Sequence, residues 1–113
     1  MKFGAFRKVV STREFTTQAM SSYSINQKPT VYYWQNTNKL LGNMDGLIGC
    51  KTGVTTAAGP CFAGYYESKN LKLVMVLCSS KSMEARWKEI RLMVDWASRT
   101  KKLLQSPHMQ GGQ

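Results

Sequence analysis

The strongest constraint on the fold is a change in hydrophobic pattern across residues 61–97. Two β-prone runs, 61–67 and 71–79, flank a short polar segment, and this arrangement predicts a β-hairpin. An amphipathic helix of roughly five turns follows, with Ser82 as its N-cap and Glu84 in its first turn. This order predicts an α+β fold, in which a long C-terminal helix packs on an antiparallel sheet.

The upstream half of the chain carries weaker signals. Residues 3–10 have the spacing of a helix end, and residues 11–17 and 30–34 have the composition of strands. The polar stretch 18–30 predicts a loop. Residues 73–77 are apolar at every position, which predicts a strand covered on both faces.

Length and composition indicate one small globular domain over residues 1–105, with a flexible tail over 106–113. No apolar run is long enough for a membrane helix, and the first residues lack the apolar core of a signal peptide. The only histidine, His108, falls in the predicted tail. The three cysteines form no CxxC pair, so we expect no metal site and no cofactor.

The net charge of +10, from 16 basic against 6 acidic residues, favours anionic partners. The basic residues are scattered, and no basic stripe with interleaved aromatic residues is present. We therefore expect a solvated basic surface and no specific binding of nucleic acid.

A longer motif surrounds the tripeptide Lys51-Thr52-Gly53. The sequence LLGN stands at 40–43, a glycine-spaced approach precedes the tripeptide, and Thr55 and Ala58-Gly59 follow it. The stretch FRKVVST at 6–12 and the segment from Arg86 to Trp96 extend the pattern in both directions. This string resembles the third active-site motif of the D-alanyl-D-alanine carboxypeptidases, the low-molecular-mass penicillin-binding proteins of peptidase family S11. The match covers residues 3–97, the C-terminal part of a catalytic domain with a β-lactamase/transpeptidase-like fold.

The resemblance implies roles for five residues. Lys51 adds positive charge to a catalytic cleft, Thr52 and Thr55 offer hydroxyls to the carboxylate of a terminal D-alanine, and Gly53 lets a substrate backbone approach the strand edge. Arg86 favours the same carboxylate because a guanidinium matches its shape. The alternatives are an exposed strand lysine, β-forming threonines and an ordinary surface arginine. The resemblance also implies an extracytoplasmic location. Its expected ligand, once an N-terminal part completes the site, is a peptidoglycan-type peptide or a β-lactam.

The nucleophile of this chemistry is not recognisable before Lys51. Serine peptidases of this kind use S-x-x-K and S-x-N motifs upstream of K-T-G. Ser24-Ile25-Asn26 falls in a predicted loop close to the tripeptide, and Ser98-Arg99-Thr100-Lys101 follows it on the polar end of the last helix, so both are interpreted as coincidences. We therefore expect these residues alone to be inactive. A piece of a longer product, half of a split enzyme and a non-catalytic structural relative all stay open. A fragment would leave a large apolar patch of the sheet exposed, and we expect a protein partner to cover it.

Three residues depart from the family pattern: Ile48, Cys50 and Pro60. A two-residue turn at 69–70 would place residues whose numbers sum to 139 opposite each other, so Cys61 would face Cys78. Two small buried hydrophobic residues are the favoured interpretation, and a disulfide is the alternative.

Overall fold

The computed structural model describes residues 2–19 and 28–107. The elements, in chain order, are α1 (Gly4–Ser11), β1 (Glu14–Ala19), β2 (Thr30–Gln35), β3 (Leu47–Thr55), β4 (Gly59–Glu67), β5 (Lys72–Leu77) and α2 (Met83–Leu104). β1 and β2 form a two-stranded antiparallel ribbon, and β3, β4 and β5 form an antiparallel sheet in that order. The predicted α+β arrangement, with its hairpin and its long C-terminal helix, is confirmed.

The core lies between the three-stranded sheet and α2. Phe62 of β4 is almost fully buried and meets Trp87 of α2 edge to face, with ring centroids 5.9 Å apart. The Ser82 hydroxyl accepts a hydrogen bond from the Ala85 amide at 2.9 Å, as expected for the predicted N-cap. The remaining buried residues of this core are Leu40, Leu47, Met75, Ile90 and Val94.

The hairpin has the predicted register. Phe62 pairs with Leu77, so the numbers of facing residues sum to 139. Cys61 and Cys78 lie just beyond this pair as free thiols. Cys78 is exposed and Cys61 is half-buried, so the expectation of two buried cysteines is wrong.

The prediction that residues 73–77 are covered on both faces is wrong. Alternate side chains of a strand point to opposite faces, and only the face with Met75 packs towards α2. Val74 and Val76 lie on the other face, and Val74 is 80% exposed. Leu92 and Trp96 of α2 are also exposed, so the buried stripe of the helix is narrower than its apolar pattern suggests. Both the sheet and the helix therefore keep apolar surface that the described residues leave uncovered.

The first strand begins three residues later than predicted because α1 continues through Ser11. The Thr12 hydroxyl donates to the carbonyl of Lys8 at 2.6 Å and closes the helix end. The helix lies against β3 at Gly49, where a Cβ would approach Val10 Cγ2 to 2.8 Å. A glycine is therefore required at this contact.

A polar cluster joins α1 to β4. Arg7 donates to Glu67 Oε2 at 3.0 Å, and the Tyr65 hydroxyl donates to the same oxygen at 3.0 Å. The hydrogen bond from Arg7, followed by that from Tyr65, lowers the pKa of Glu67 below its ordinary value. Desolvation, and to a smaller extent the hydrogen bond to Glu67, raises the pKa of Tyr65 above its ordinary value.

Several predictions fall outside the described residues. Most of the predicted loop 18–30 lies there, including Ser24-Ile25-Asn26, although Gln18 and Ala19 belong to β1 rather than to a loop. His108 and most of the predicted flexible tail 106–113 lie there too, so the flexibility of the tail stays a prediction.

Candidate functional site

The Lys51-Thr52-Gly53 tripeptide lies on β3, an edge strand of the three-stranded sheet. Thr52 pairs with Phe62 and therefore faces the core side of the sheet. Lys51 pairs with Ala63, which pairs with Val76, so these three residues share the open face. The edge of β3 thus has an ammonium group on one side and a hydroxyl on the other.

A groove of about 730 Å³ runs along this edge. Its walls are the edge of β3, the loop that follows β2, and the first turns of α2. Four of the five predicted site residues line it: Lys51, Thr52, Gly53 and Arg86. Thr55 does not line it. The Thr55 hydroxyl accepts a hydrogen bond from the Ala58 amide at 3.0 Å, which supports the β3–β4 turn.

Thr37 is a site residue that sequence reasoning missed. Its Oγ1 lies 2.5 Å from Thr52 Oγ1, so the two hydroxyls are hydrogen-bonded across the groove wall. Neighbouring asparagines hold it there. The Asn36 amide donates to the Thr12 carbonyl at 3.0 Å, and Asn36 Oδ1 accepts from the Asn38 backbone amide at 2.9 Å. The polar triplet 36–38 before two leucines was the available signal, and it indicates only a turn.

Arg86 is buried rather than a surface arginine. Its residue exposure is 3%, its Nη1 donates to the Cys61 carbonyl at 3.2 Å, and its guanidinium carbon lies 4.3 Å from the centroid of the Trp87 ring. Within the described ranges it makes no ion pair, and its buried Nε has no hydrogen-bond partner. A buried cation without a carboxylate is costly, so the site favours an anion that can approach Arg86.

The net charge of the groove also favours an anionic ligand. Four basic residues line it against two acidic ones, and one of the acids, Glu84, is paired with Lys39 at 3.4 Å. The buried Asn38 has a side-chain amide nitrogen without a partner among the described residues. The lining therefore combines excess positive charge with unused N–H donors, which suits a carboxylate. The basic residues are Arg13, Lys39, Lys51 and Arg86.

Gly53 has no packing role within the described residues. A Cβ at this position would meet nothing within 4 Å, in contrast to Gly49. Its backbone φ is not in the left-handed region that favours glycine. The open space beside Gly53 leaves the main-chain edge of β3 accessible to an extended peptide.

No nucleophile is present beside the tripeptide in the described structure. The ammonium of Lys51 donates to the carbonyl of Thr52. Burial raises the pKa of the adjacent Cys50 thiol, which disfavours its thiolate form. Ser98 and Lys101 lie on α2 outside the groove, and Lys101 donates to the Asn70 carbonyl.

Comparison with known proteins places this groove in a family context. No family model matches the chain. The D-alanyl-D-alanine carboxypeptidase of Streptomyces sp. (strain K15) is 33% identical over 87 residues, which is 76% of this chain and 29% of that protein. The resemblance to D-Ala-D-Ala carboxypeptidases is confirmed.

The fold similarity extends to solved structures of such penicillin-binding proteins. The crystal structure of the Streptomyces K15 DD-transpeptidase matches with a TM-score of 0.76 and 27% identity, over 85% of this chain and 36% of that one. Penicillin-binding protein D2 from Listeria monocytogenes, in its cefotaxime-bound form, matches with a TM-score of 0.61 over 80% and 32%. At 24% identity the second match shows a shared fold alone. The chain thus spans about a third of the length of the carboxypeptidase-like proteins that it matches.

The described residues also bear on membrane insertion and metal binding. No helix among residues 2–19 and 28–107 is long and apolar enough to cross a membrane. Within the same ranges, no group of three His, Cys, Asp or Glu side chains is placed to hold a metal ion.

Proposed function

We propose that this chain forms the substrate-binding wall of an acyl-serine D-Ala-D-Ala peptidase. The observation that carries the proposal is the meeting of Thr52 and Arg86 in one groove beside the free edge of β3. The terminal carboxylate of a D-Ala-D-Ala peptide binds the Thr52 hydroxyl and the positive field of Arg86. The peptide main chain lies along β3 at Gly53 as an added strand.

Lys51 has a different place in this proposal. Its backbone register places it on the open face with Ala63 and Val76, on the other side of the strand from Thr52, while its side chain lines the same groove as Thr52 and Arg86. Its ammonium therefore reaches the groove from the open face, where it lowers the energy of negative charge that develops during acyl transfer. Thr55 Oγ1 accepts a hydrogen bond in the turn and does not line the groove, so we assign carboxylate binding to Thr52 and Arg86 instead.

The reactive serine and its base come from a segment other than these 113 residues. The exposed valines of β5 lie on the same face as Lys51, and covering them would bring that segment next to the tripeptide. Because loss of a nucleophile and its base removes most of the rate of a serine peptidase, the 113 residues alone do not hydrolyse D-Ala-D-Ala. Completion of the site would create an extracytoplasmic peptidase that acts on peptidoglycan peptides.

The test is an NMR titration of the 113-residue chain with an acetylated peptide that ends in D-Ala-D-Ala. The expected result is a set of backbone amide shifts at residues 51–53, together with Thr37 and Arg86. Shifts confined to other surfaces, or no shifts at millimolar peptide, would contradict the proposal. Incubation of the same sample with penicillin should leave its intact mass unchanged, and a covalent adduct would overturn the assignment of the serine to another segment.

A further inference from the structure

The β1–β2 ribbon carries a row of aromatic rings on one face. Phe15 and Trp34 are directly opposite each other, and their ring centroids are 6.2 Å apart at an interplanar angle of 25°. Tyr32 continues the row, with its centroid 5.6 Å from that of Trp34 at 13°. Since Tyr32 pairs with Thr17, the three rings follow one face of the ribbon in near-parallel orientation.

The row is exposed and is not used to build the core. Phe15, Trp34 and Tyr32 are 57%, 52% and 44% exposed, and among the described residues β1 and β2 pack only against each other. A cross-strand aromatic pair stabilises such a ribbon, which accounts for the pairing of Phe15 with Trp34. This stabilisation does not explain the third ring, Tyr32, which lies opposite Thr17.

The composition of this face favours a stacking ligand over an apolar protein surface. The other side chains on it are two threonines and an alanine, and no leucine, isoleucine, valine or methionine is among its described residues. The C–H faces of pyranose sugars carry partial positive charge and pack on the electron-rich faces of aromatic rings. Threonine hydroxyls beside the rings can exchange hydrogen bonds with sugar hydroxyls.

The ribbon is continuous with the groove along β3. A second groove of about 510 Å³ lies beside Phe15 and Trp34, and it shares four lining residues with the first. These shared residues carry charged and amide groups suited to sugar hydroxyls and N-acetyl groups. They are Arg13, Glu14, Gln35 and Asn36. A ligand that has both a sugar chain and a peptide can therefore occupy the two grooves together.

We propose that the row formed by Phe15, Trp34 and Tyr32 binds the glycan chain of peptidoglycan, a polymer of N-acetylated amino sugars, while its stem peptide enters the groove at Thr52. This assignment rests on the proposed function, because it names the larger substrate to which the D-Ala-D-Ala end belongs. The row then gives the chain a higher affinity for peptidoglycan polymer than for free peptides.

The probe is the tetramer of β-1,4-linked N-acetylglucosamine, titrated into the 113-residue chain by calorimetry and NMR. The expected dissociation constant is on the order of 0.1–1 mM. Trp34→Ala weakens binding by about tenfold, because it removes the central ring of the row. Val31→Ala is the control: Val31 is similarly exposed on the opposite face of the same ribbon, and its loss changes the affinity by less than about twofold.

Three results would overturn the glycan site. These are no binding of the tetramer at millimolar concentration, an equal loss in Val31→Ala, or tighter and steeply salt-dependent binding of a single-stranded oligonucleotide to the same row. Thr52→Val separates the two proposals, since it should reduce binding of the D-Ala-D-Ala peptide and leave binding of the tetramer unchanged. A chain that binds the tetramer but not the peptide contradicts the peptide site alone, and the converse contradicts the glycan site alone.

Discussion

Thr37 Oγ1 and Thr52 Oγ1 lie 2.5 Å apart, which joins the loop after β2 to the edge of the sheet. One hydroxyl must donate to the other, so Thr37 controls the direction in which the Thr52 proton points. Because a hydroxyl has one proton, Thr52 can donate to a carboxylate only when Thr37 donates to Thr52 Oγ1 or when the contact between the two hydroxyls breaks. Thr37 is therefore a positioning residue for the proposed site.

Valine substitutions test this relationship. Thr52→Val should weaken binding of a D-Ala-D-Ala peptide by about tenfold, because a hydrogen bond to a charged group contributes about 1.5–3 kcal/mol. Thr37→Val should weaken it by about threefold and should have no further effect in the Thr52→Val background. Thr55→Val is the control, since the Thr55 hydroxyl serves the turn. Calorimetric titration measures all four proteins, and additive losses in the double variant would contradict the coupling.

Substitutions of Gly53 and Gly49, both in β3, should have opposite effects on peptide binding and on stability. Gly53→Val places its side chain in open space, so the free energy of unfolding should not fall, whereas peptide binding should fall by at least about tenfold. Gly49→Ala should lower the stability by about 1–3 kcal/mol because its Cβ would overlap Val10. Urea denaturation and peptide titration separate the effects. Full peptide affinity in Gly53→Val would contradict binding along the strand edge.

Arg86→Met tests the buried cation. Replacement of an unpaired buried charge by an apolar side chain of similar length should change the unfolding free energy by less than about 1 kcal/mol. Affinity for the peptide should nevertheless fall by about tenfold or more, since the carboxylate loses its nearest cation. Arg99→Met is the matched control on the same helix, because Arg99 is exposed, pairs with Asp95 and does not line the groove. Equal losses of affinity in the two variants would argue against a specific role.

Stability should depend on pH through the Arg7–Glu67 contact. The pKa of Glu67 is lowered in the folded chain by the hydrogen bonds from Arg7 and Tyr65. The contact therefore stabilises the fold at pH values above the ordinary glutamate pKa, and this contribution is lost as the pH falls through the lowered pKa. Glu67→Gln should flatten this part of the acid dependence, which urea midpoints from about pH 7 to about pH 3 would show. Arg7→Gln should do the same, and an unchanged acid profile in both variants would contradict the role of the contact.

The sequence predicted the elements whose signals are local. The hairpin register followed from the turn at 69–70, and the start of α2 followed from the Ser82 cap and Glu84. The tripeptide at 51–53 was recognisable because its flanking residues matched a family pattern. These features depend on residues that are close together in the chain, so they can be recognised from a single sequence.

What the sequence did not predict depends on contacts between distant segments. The place of Thr37 against Thr52 is set by Asn36, which reaches the end of α1 across 24 positions. The burial of Arg86 depends on the carbonyl of Cys61, and the exposure of Val74 depends on which elements cover the sheet. An apolar run alone does not reveal whether a second layer packs on its other face.

The proposed recognition of a terminal carboxylate is tested most directly by one pair of affinities. The 113-residue chain is titrated by calorimetry with a peptide ending in D-Ala-D-Ala and with the same peptide ending in D-Ala-D-Ala amide. The expected result is that the acid binds at least about tenfold more tightly than the amide, because only the acid offers the charge that Arg86 and Thr52 receive. Equal affinities for the two peptides would contradict carboxylate recognition in this groove.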